Sequence, residues 1–513
     1  MKQIKKLFSY LVALAMVFSI VTLAGVNVHA AGETATSKST YTLTVNNTDT
    51  KAKHIFEIYQ IFKGDYNKKE NEAATLSNIE WGSGVTDAGK TAFGPAKVKA
   101  ESLNDSNVSS FAKELVSNSY LQSPITTDPV ESGKSAAVNV SAGYYLIKDK
   151  DGSQKETHGD YTSYILKVVG DTTANTKLNV PTVVKKVEDT NDTNGTTSDW
   201  QDSADYDIGD SVPYQITGSM PTNIGDYETY KYVFTDTMSK GLTYKANTAK
   251  IKIGDTDVTT SFTENVTSNT DGSTTVTWSC DNLKGIQGVT INANTKVVVT
   301  YSAKLNENAV IGSAGNPNTV DLTYSNDPNQ GGEGETGKTP EDKNIVFTYK
   351  TVVNKVDKDN NPLKGAGFTL QKKVNGTYQD IKTIKAGETT KFEFSGLDDG
   401  DYKLIESTTP SGYNTIAPIE FTITATHDTD SGDPKLTELN GVKATGEIDL
   451  GTQQKATVDT SAGSITANVV NNKGSELPET GGMGTTLLYG VGAILVAAAA
   501  AYVVMNKKHS TNK

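Results

Sequence analysis

The stretch IVFTYKTVVNKVD, residues 345–357, decides the fold class of the region around it. Side chains in a β-strand alternate between the two faces of a sheet, so every second residue shares a face. One face of this stretch carries Ile345, Phe347, Tyr349, Thr351, Val353 and Lys355. That face is apolar until Lys355, and the pattern predicts a strand packed on a core. A lysine on such a face either reaches water at the strand end or is buried and needs a partner.

Two other stretches of the same region also end an apolar face with a polar residue. In GDYKLIES, residues 400–407, the face that begins with Tyr402 ends in Glu406. In SITANVVNN, residues 464–472, alternating apolar residues precede Asn471. A lysine, a glutamate and an asparagine therefore end the inward faces of three strands. The alternative interpretation, that these are solvated strand ends, stays open on the pattern alone.

The rest of the sequence is also typical of an all-β chain. Short alternating runs are separated by turn signals such as Asn-Gly and Asp-Gly, which is the pattern of β-sandwiches. We therefore predict an all-β chain of tandem Ig-like β-sandwich domains between two terminal segments of different composition. The clearest candidate for a helix within a domain runs from Ser109 to Val116, where a serine cap precedes FAKELV.

The mature length of about 450 residues suggests roughly three domains. The loop from Asp327 to Lys343 has no residue able to build a core, so it predicts a linker. The predicted parts are an N-terminal domain at 31–178, a middle domain at 179–330, a linker at 331–343 and a C-terminal domain at 344–475.

Both ends of the chain carry targeting patterns. Residues 1–30 have a basic start, an apolar run and small residues before a cleavage point, as in a secretory signal peptide. Residues 476–513 hold an apolar span at 487–505 and a basic tail, a length that can cross a bilayer. Before that span stands the LPETG motif, formed by Leu477, Pro478, Glu479, Thr480 and Gly481. This order resembles the cell-wall sorting signal of Gram-positive surface proteins, which a sortase cuts between the threonine and the glycine.

Composition excludes some classes of function. Removing 1–30 and 481–513 takes away six lysines and no acids, so the formal charge moves from −12 to −18. The secreted product is acidic and contains no arginine, which argues against a nucleic-acid partner. Cys280 is the only cysteine, so no disulfide can form within the chain, and its strand-like context predicts a small core residue.

The C-terminal stretches resemble a known domain. KVDKDNNPLKGAGFTL, GDYKLIESTTPSGYN and ANVVNN before LPETGG are similar to the CnaB-type domain of Gram-positive pilins and adhesins. In that family a lysine on the first strand and an asparagine on the last become joined by an isopeptide bond. The resemblance implies Lys355 as nucleophile, Asn471 as its target and Glu406 as the acid. Burial favours a neutral amine and a protonated acid, which suits this reaction.

The middle domain shows a related pattern. Asp236 alternates with apolar residues in KYVFTDTMSKGLTY, and Asn318 does so in NTVDLTYSN. This region resembles the CnaA-like domain of pilin shafts, whose reactive lysine lies on the first strand. Lys185 shares a face with Val183, whereas Lys186 lies on the opposite, more easily solvated face. The resemblance implies a second self-crosslinking triad of Lys185, Asp236 and Asn318.

The N-terminal domain lacks this pattern of lysine, acid and asparagine. AGYYLIKD is similar to GDYKLIES, but Lys148 stands where Glu406 stands in the C-terminal domain. We predict no isopeptide bond there. The segments HIFEIYQIFKGD and SNIEWGSGV resemble the N-terminal domain of the same pilins.

Together these resemblances imply the shaft subunit of a covalently polymerised cell-surface fimbria on a Gram-positive bacterium. Its partners would be pilin-type and wall-anchoring sortases, other copies of itself, minor pilins and peptidoglycan. The thioester of Thr480 would be passed to an exposed linker lysine, for which Lys177 is the candidate, although the residues before it lack the family's YPK-type motif. The alternative is a monomeric wall-anchored adhesin, or a terminal or basal pilin. No turnover enzyme and no cofactor are predicted; the acidic run at 188–210 could bind a cation, but a solvated loop needs none.

Overall fold

A computed structural model describes residues 40–49, 51–67, 74–104, 107–155, 157–176, 180–328, 335–442 and 456–473. The chain divides into two compact units. The first comprises residues 1–190, 196–348 and 426–437, and the second comprises 191–195, 349–425 and 438–513. The predicted signal peptide, the LPETG motif and the apolar span at 487–505 lie outside the described residues.

The first unit begins with a two-sheet sandwich. Its strands are β1 Tyr41–Asn46, β2 Phe56–Asn67, β3 Thr75–Trp81, β4 Ile125–Thr126, β5 Ser135–Val140, β6 Gly143–Asp149, β7 Ser163–Val168 and β8 Thr172–Asn175. One sheet has the order β5-β1-β8, and the other has the order β3-β2-β6-β7 with β4 paired to β2. The facing sides of the two sheets bury apolar residues such as Leu43, Phe56 and Ile147.

Three helices cover the outer side of the second sheet. They are α1 Asp87–Phe93, α2 Ala96–Ser102 and α3 Val108–Ser117. The predicted helix at Ser109–Val116 is confirmed as α3, which buries Phe111 and Leu115 against this sheet. Among the described residues, no helix has the length and apolar character needed to span a membrane.

The middle sandwich of the first unit is larger. Its region contains β9 Val183–Val187, β10 Thr190–Asn191, β11 Thr196–Thr197, β12 Ser203–Asp205, β13 Ser211–Ser219, β14 Tyr232–Met238, β15 Leu242–Tyr244, β16 Lys250–Ile253, β17 Thr256–Asp257, β18 Thr263–Ser268, β19 Thr274–Cys280, β20 Lys296–Leu305, β21 Asn316–Ser325, β22 Thr336–Lys338 and β23 Asp342–Phe347. One sheet runs β17-β16-β20-β13-β9, and the other runs β12-β23-β21-β14-β19-β18. Tyrosines, valines and Trp278 fill the core between them, and Cys280 is buried there as a free thiol, as predicted.

The structure corrects two expectations at the end of this sandwich. The predicted linker at 331–343 is partly strand, because β22 and the start of β23 pair with β21. The predicted single strand at 345–357 is divided, since β23 ends at Phe347 in the first unit and the next strand begins at Tyr349 in the second. The physical reason is the strand pairing, since β23 pairs with β12 and β21 of the first unit, whereas the strand that begins at Tyr349 pairs with strands of the second.

The second unit is another two-sheet sandwich. Its region contains β24 Tyr349–Asp357, β25 Gly367–Val374, β26 Thr377–Ile384, β27 Lys391–Leu397, β28 Gly400–Thr408, β29 Ile419–His427, β30 Leu436–Val442, β31 Thr457–Asp459 and β32 Ser464–Asn471. The end of β29 and the start of β30 belong to residues 426–437 of the first unit. One sheet has the order β27-β24-β32-β31, and the other has the order β26-β25-β28-β29-β30. β24 and β32 run parallel, so the first and last long strands of the unit are neighbours. The predicted all-β fold class is confirmed.

Candidate self-crosslinking sites

The first candidate site lies between the two sheets of the middle sandwich. Lys185 is in the centre of β9, whose residues alternate between the core and the outside. Asp236 on β14 and Asn318 on β21 come from the opposite sheet. Asp236 is paired with Val320 of β21, and Asn318 lies two residues before Val320 on the same face of that strand. All three side chains point inward and are completely buried. Strand alternation therefore brings together the three residues that the sequence predicts.

These residues meet around a fourth that sequence reasoning missed. Lys185 Nζ donates to the Asp236 carboxylate and, at 2.6 Å, to the Tyr301 hydroxyl. Tyr301 Oη lies 3.0 Å from both carboxylate oxygens of Asp236. Asn318 Nδ2 donates to Tyr301 Oη at 2.9 Å. Tyr301 follows Val297 and Val299 on the inward face of β20, so alternation in KVVVTYSAKL places its hydroxyl in the core.

Burial sets the protonation of this site. It lowers the pKa of Lys185, although the charge of Asp236 opposes the shift. It raises the pKa of Asp236, against the effect of Lys185. Both directions favour an amine and a carboxylic acid over an ammonium and a carboxylate. Burial also raises the pKa of Tyr301 well above its ordinary value, so its hydroxyl keeps its proton.

The second candidate site lies in the second unit. Lys355 on β24 is paired with Val469 of β32, and Asn471 is two residues further along the same face. Lys355 Nζ donates to Asn471 Oδ1 and, at 2.9 Å, to the Val469 carbonyl. Glu406 on β28 approaches from the opposite sheet, and Asn471 Nδ2 donates to its two oxygens at 2.9 and 3.1 Å. The structure thus also brings together the second predicted set.

The electrostatics of the second site favour a reactive amine. Burial lowers the pKa of Lys355 to about 8, although nearby Glu406 raises it in part. Lys355 and Asn471 have fully buried side chains, and Lys355 Nζ lies 4.0 Å from Glu406 Oε1. A neutral amine next to a polarised carboxamide can attack the carboxamide carbon and expel ammonia.

Comparisons with known proteins point to one family. The model of the Gram-positive pilin backbone subunit 2, Cna-B-like domain, matches residues 208–328, and that of the SpaA prealbumin-like fold domain matches residues 350–435. A curated relative, the trypsin-resistant surface T6 protein of Streptococcus pyogenes serotype M6, is 26% identical over 396 residues, covering 65% of this chain and 70% of the relative. The chain is similar to two Gram-positive pilin family models and to this streptococcal surface protein. The predicted family resemblance is confirmed, although the matching description of the middle region is Cna-B-like and not CnaA-like.

One solved structure supports the fold. The T6 backbone pilin of serotype M6 Streptococcus pyogenes has a TM-score of 0.53 at 17% identity, covering 86% of this chain and all of that one (100%). The full-length major pilin SpaD from Corynebacterium diphtheriae has a TM-score of 0.47 at 17% identity, covering 85% and 98%. These two structures are described as a backbone pilin and a major pilin.

Other predicted residues have different surroundings. Lys186 faces away from the core and forms an ion pair of 2.6 Å with Asp202, so it is only partly solvated. Lys148 occupies the position at which an isopeptide bond of the predicted kind would need an acid. Its side chain is buried, and its Nζ lies 3.1 Å from Glu57. Lys177 lies outside the described residues. Its role, and that of the LPETG motif, stay predictions.

Of the two groups of described side chains whose composition suits a metal ion, one lies wholly in the first unit. Asp189, Asp205 and His427 in the first unit have potential ligand atoms within 4.8 Å of one another. His427 Nε2 also lies 3.4 Å from Asp189, and its Nδ1 bonds with Ser203 at 2.7 Å. These contacts satisfy the imidazole without an ion, so the group is compatible with a purely structural role.

Proposed function

We propose that this chain is the shaft subunit of a covalently polymerised Gram-positive pilus and that it crosslinks itself. The observation that carries this proposal is the recurrence of a buried lysine, acid and asparagine in two sandwiches, each of which a pilin family model matches in part. Removing a lysine and an acid from water costs free energy, so a buried lysine–acid pair does little for stability by itself. The crosslinking reaction gives a reason for the burial of both groups.

Each set performs a single reaction in this proposal. The lysine amine attacks the carboxamide carbon of the asparagine, the acid assists proton transfer, and ammonia leaves. Lys185 becomes joined to Asn318, and Lys355 becomes joined to Asn471. The product is an amide crosslink and nothing turns over, so the chain is not an enzyme. The crosslinks take the place of the disulfides that a chain with one cysteine cannot form.

The joining of subunits uses residues outside the described part of the chain. After export, a pilin-type sortase cuts the LPETG motif after Thr480 and transfers its carbonyl to the amine of Lys177 in another copy. A wall-anchoring sortase transfers the last subunit to peptidoglycan, and minor pilins complete the surface fimbria that supports adhesion. These steps rest on the sequence motif and on the family resemblance.

The intramolecular chemistry is tested by the intact mass of the recombinant mature chain. The mass should be lower than that of the sequence by two ammonia molecules. Lys185→Ala and Lys355→Ala should each restore one ammonia, and Lys186→Ala is the matched control that should restore none. A wild-type mass equal to the sequence mass overturns the crosslinking scheme.

The assembly is tested in the producing bacterium with a wall extract on a denaturing gel. A shaft subunit gives a ladder of covalent polymers, and Lys177→Ala should abolish it while Lys186→Ala leaves it unchanged. A single band from the wild type would identify a monomeric wall-anchored adhesin instead. A ladder that persists in Lys177→Ala would assign the acceptor to another lysine.

A further inference from the structure

The hydroxyl of Tyr301 occupies a position that the crosslinking scheme leaves without a role. A phenol has one proton to donate and two lone pairs to accept with. Tyr301 Oη receives hydrogen bonds from Lys185 Nζ at 2.6 Å and from Asn318 Nδ2 at 2.9 Å, and lies 3.0 Å from the Asp236 carboxyl oxygens. Its hydrogen-bonding capacity is therefore used entirely on the three reacting groups.

The reaction requires a proton to move between two of these groups. When Lys185 Nζ bonds to the Asn318 carbon, the new nitrogen must lose a proton. When the bond from that carbon to Nδ2 breaks, Nδ2 must gain one in order to leave as ammonia. The net change is one proton moved from Nζ to Nδ2, with one C–N bond formed and one broken. Tyr301 Oη is hydrogen-bonded to both nitrogens.

We propose that Tyr301 is the proton-relay residue for the Lys185–Asn318 crosslink. In the tetrahedral intermediate the amide nitrogen has a lone pair and becomes an acceptor for this hydroxyl. Tyr301 then gives its proton to Nδ2 and receives the proton of the Asp236 carboxylic acid, and the Asp236 carboxylate takes up the proton that Nζ loses. The carboxyl and the phenol end as they began, and ammonia departs. This inference rests on the proposed function.

The other site shows what the phenol replaces. There the acid itself meets the leaving group, because Asn471 Nδ2 lies 2.9 Å from Glu406 Oε1. In the middle sandwich the hydrogen bond from Asn318 Nδ2 goes to the phenol, and Asn318 also lies near enough to Asp236 to offset part of the rise in the pKa of that acid. Asn318 Oδ1 is buried and has no hydrogen-bond partner among the described residues, so the contact with Tyr301 also orients the carboxamide. The two sites therefore serve as internal controls for each other.

The surroundings of Tyr301 suit a relay. Its ring is stacked on Tyr214 with 5.2 Å between the ring centroids, and Tyr244 packs on it at 5.9 Å, so the hydroxyl is held in place. Burial raises the pKa of Tyr301 well above its ordinary value, which keeps the proton available until the amide nitrogen becomes basic.

The test uses the full-length mature chain, refolded from urea-solubilised inclusion bodies. Crosslinked peptides are quantified by mass spectrometry over time, so both crosslinks are followed in one sample. In Tyr301→Phe the Lys185–Asn318 crosslink should form about a hundredfold more slowly, in line with general acid–base contributions, while the Lys355–Asn471 crosslink keeps its rate. Tyr232→Phe is the matched control, because its hydroxyl donates to the Ser219 carbonyl at 2.8 Å and not to the reacting groups. It should leave both rates unchanged.

A second variant separates proton relay from packing. Fluorotyrosine placed at position 301 keeps the ring and hydroxyl but lowers the phenol pKa, so a relay predicts a changed rate and pH profile for this crosslink alone. Crosslinking of Tyr301→Phe at the wild-type rate overturns the proposal, and so does a fluorotyrosine chain with wild-type rate and pH profile. Absence of the Lys185–Asn318 crosslink from the wild type is a different result, since it refutes the proposed function itself.

Discussion

The crosslink in the second unit should make a large contribution to its stability. Lys355 and Asn471 are separated by 116 residues along the chain. In the chain-entropy treatment of crosslinks, closing a loop of this length lowers the entropy of the unfolded chain by the equivalent of about 5 kcal/mol. At about 4 °C per kcal/mol for a small domain, this predicts a fall of about 20 °C in the melting temperature when the crosslink is absent.

The perturbation should block the bond without opening a cavity. Glu406→Gln keeps the size of the side chain but removes the carboxyl group that contacts Asn471 Nδ2 and would carry the proton to it. The uncrosslinked variant should retain the full sequence mass at this site. Its transition in differential scanning calorimetry should be about 20 °C below that of the wild type, as the loop-closure estimate requires.

A double-mutant cycle removes the direct effect of the substitution. Lys355→Met prevents the crosslink by itself, so adding Glu406→Gln to it should change the melting temperature by only a few degrees. The coupling between the two substitutions then measures the crosslink. The reasoning is refuted by a Glu406→Gln chain that lacks the crosslink but melts with the wild type.

Three further predictions follow from the same structure. Crosslinking by Lys355 needs its neutral amine, so its rate during refolding should rise about tenfold per pH unit up to the pKa of about 8 and level off above it, as followed by mass spectrometry; a flat profile would contradict this. Burial alone would lower the pKa of His54, but its contacts with Asp149 and Asp49 raise it to about 9, so its stabilisation is complete below about pH 6.5 and is lost as the pH rises through about 9. Melting curves of wild type and His54→Gln should therefore converge at high pH, and a constant difference would refute the assignment. A Cβ on Gly218 would lie 2.2 Å from Tyr232 Oη, so Gly218→Ala should lose about 1–3 kcal/mol of unfolding free energy, whereas Gly225→Ala, with open space around it, should lose little.

Strand alternation accounts for what could be predicted from the sequence. The inward direction of Lys185, Asp236 and Asn318 is a local property, because a two-residue period fixes which face each side chain shares. The same two-residue period does not predict the unit boundary at Thr348, because the alternating pattern of 345–357 continues there while the chain passes from one unit to the other. Periodicity describes the faces of a strand, and it carries no information about which sheet the strand joins.

Tyr301 could not be assigned a role for a related reason. On the sequence it is one more aromatic residue on an apolar face, and such a residue is ordinarily core. Its importance comes from the hydroxyl, which meets three residues from three other strands, β9, β14 and β21. Only the register of both sheets places these groups together. The hydroxyl of a tyrosine at an inward-facing strand position was the one feature of the sequence that could have indicated a role at this site.

The two sites differ in which partner crosses the core, and this difference has a mechanical consequence. In the middle sandwich the acid and the amide are neighbours in one sheet, and Lys185 reaches them from the other. In the second unit Lys355 and Asn471 are on neighbouring parallel strands, and Glu406 is the group that crosses. Facing sheets lie about 10 Å apart, whereas neighbouring strands lie about 4.8 Å apart. The two lysine side chains must therefore take different conformations, because Lys185 spans the gap between sheets and Lys355 spans the gap between strands. The proposed Lys185–Asn318 bond would therefore resist separation of two sheets, whereas the Lys355–Asn471 bond would resist peeling of β32 from β24. Under tension along a shaft, loss of the second bond alone should let the C-terminal strand detach while the middle sandwich stays closed.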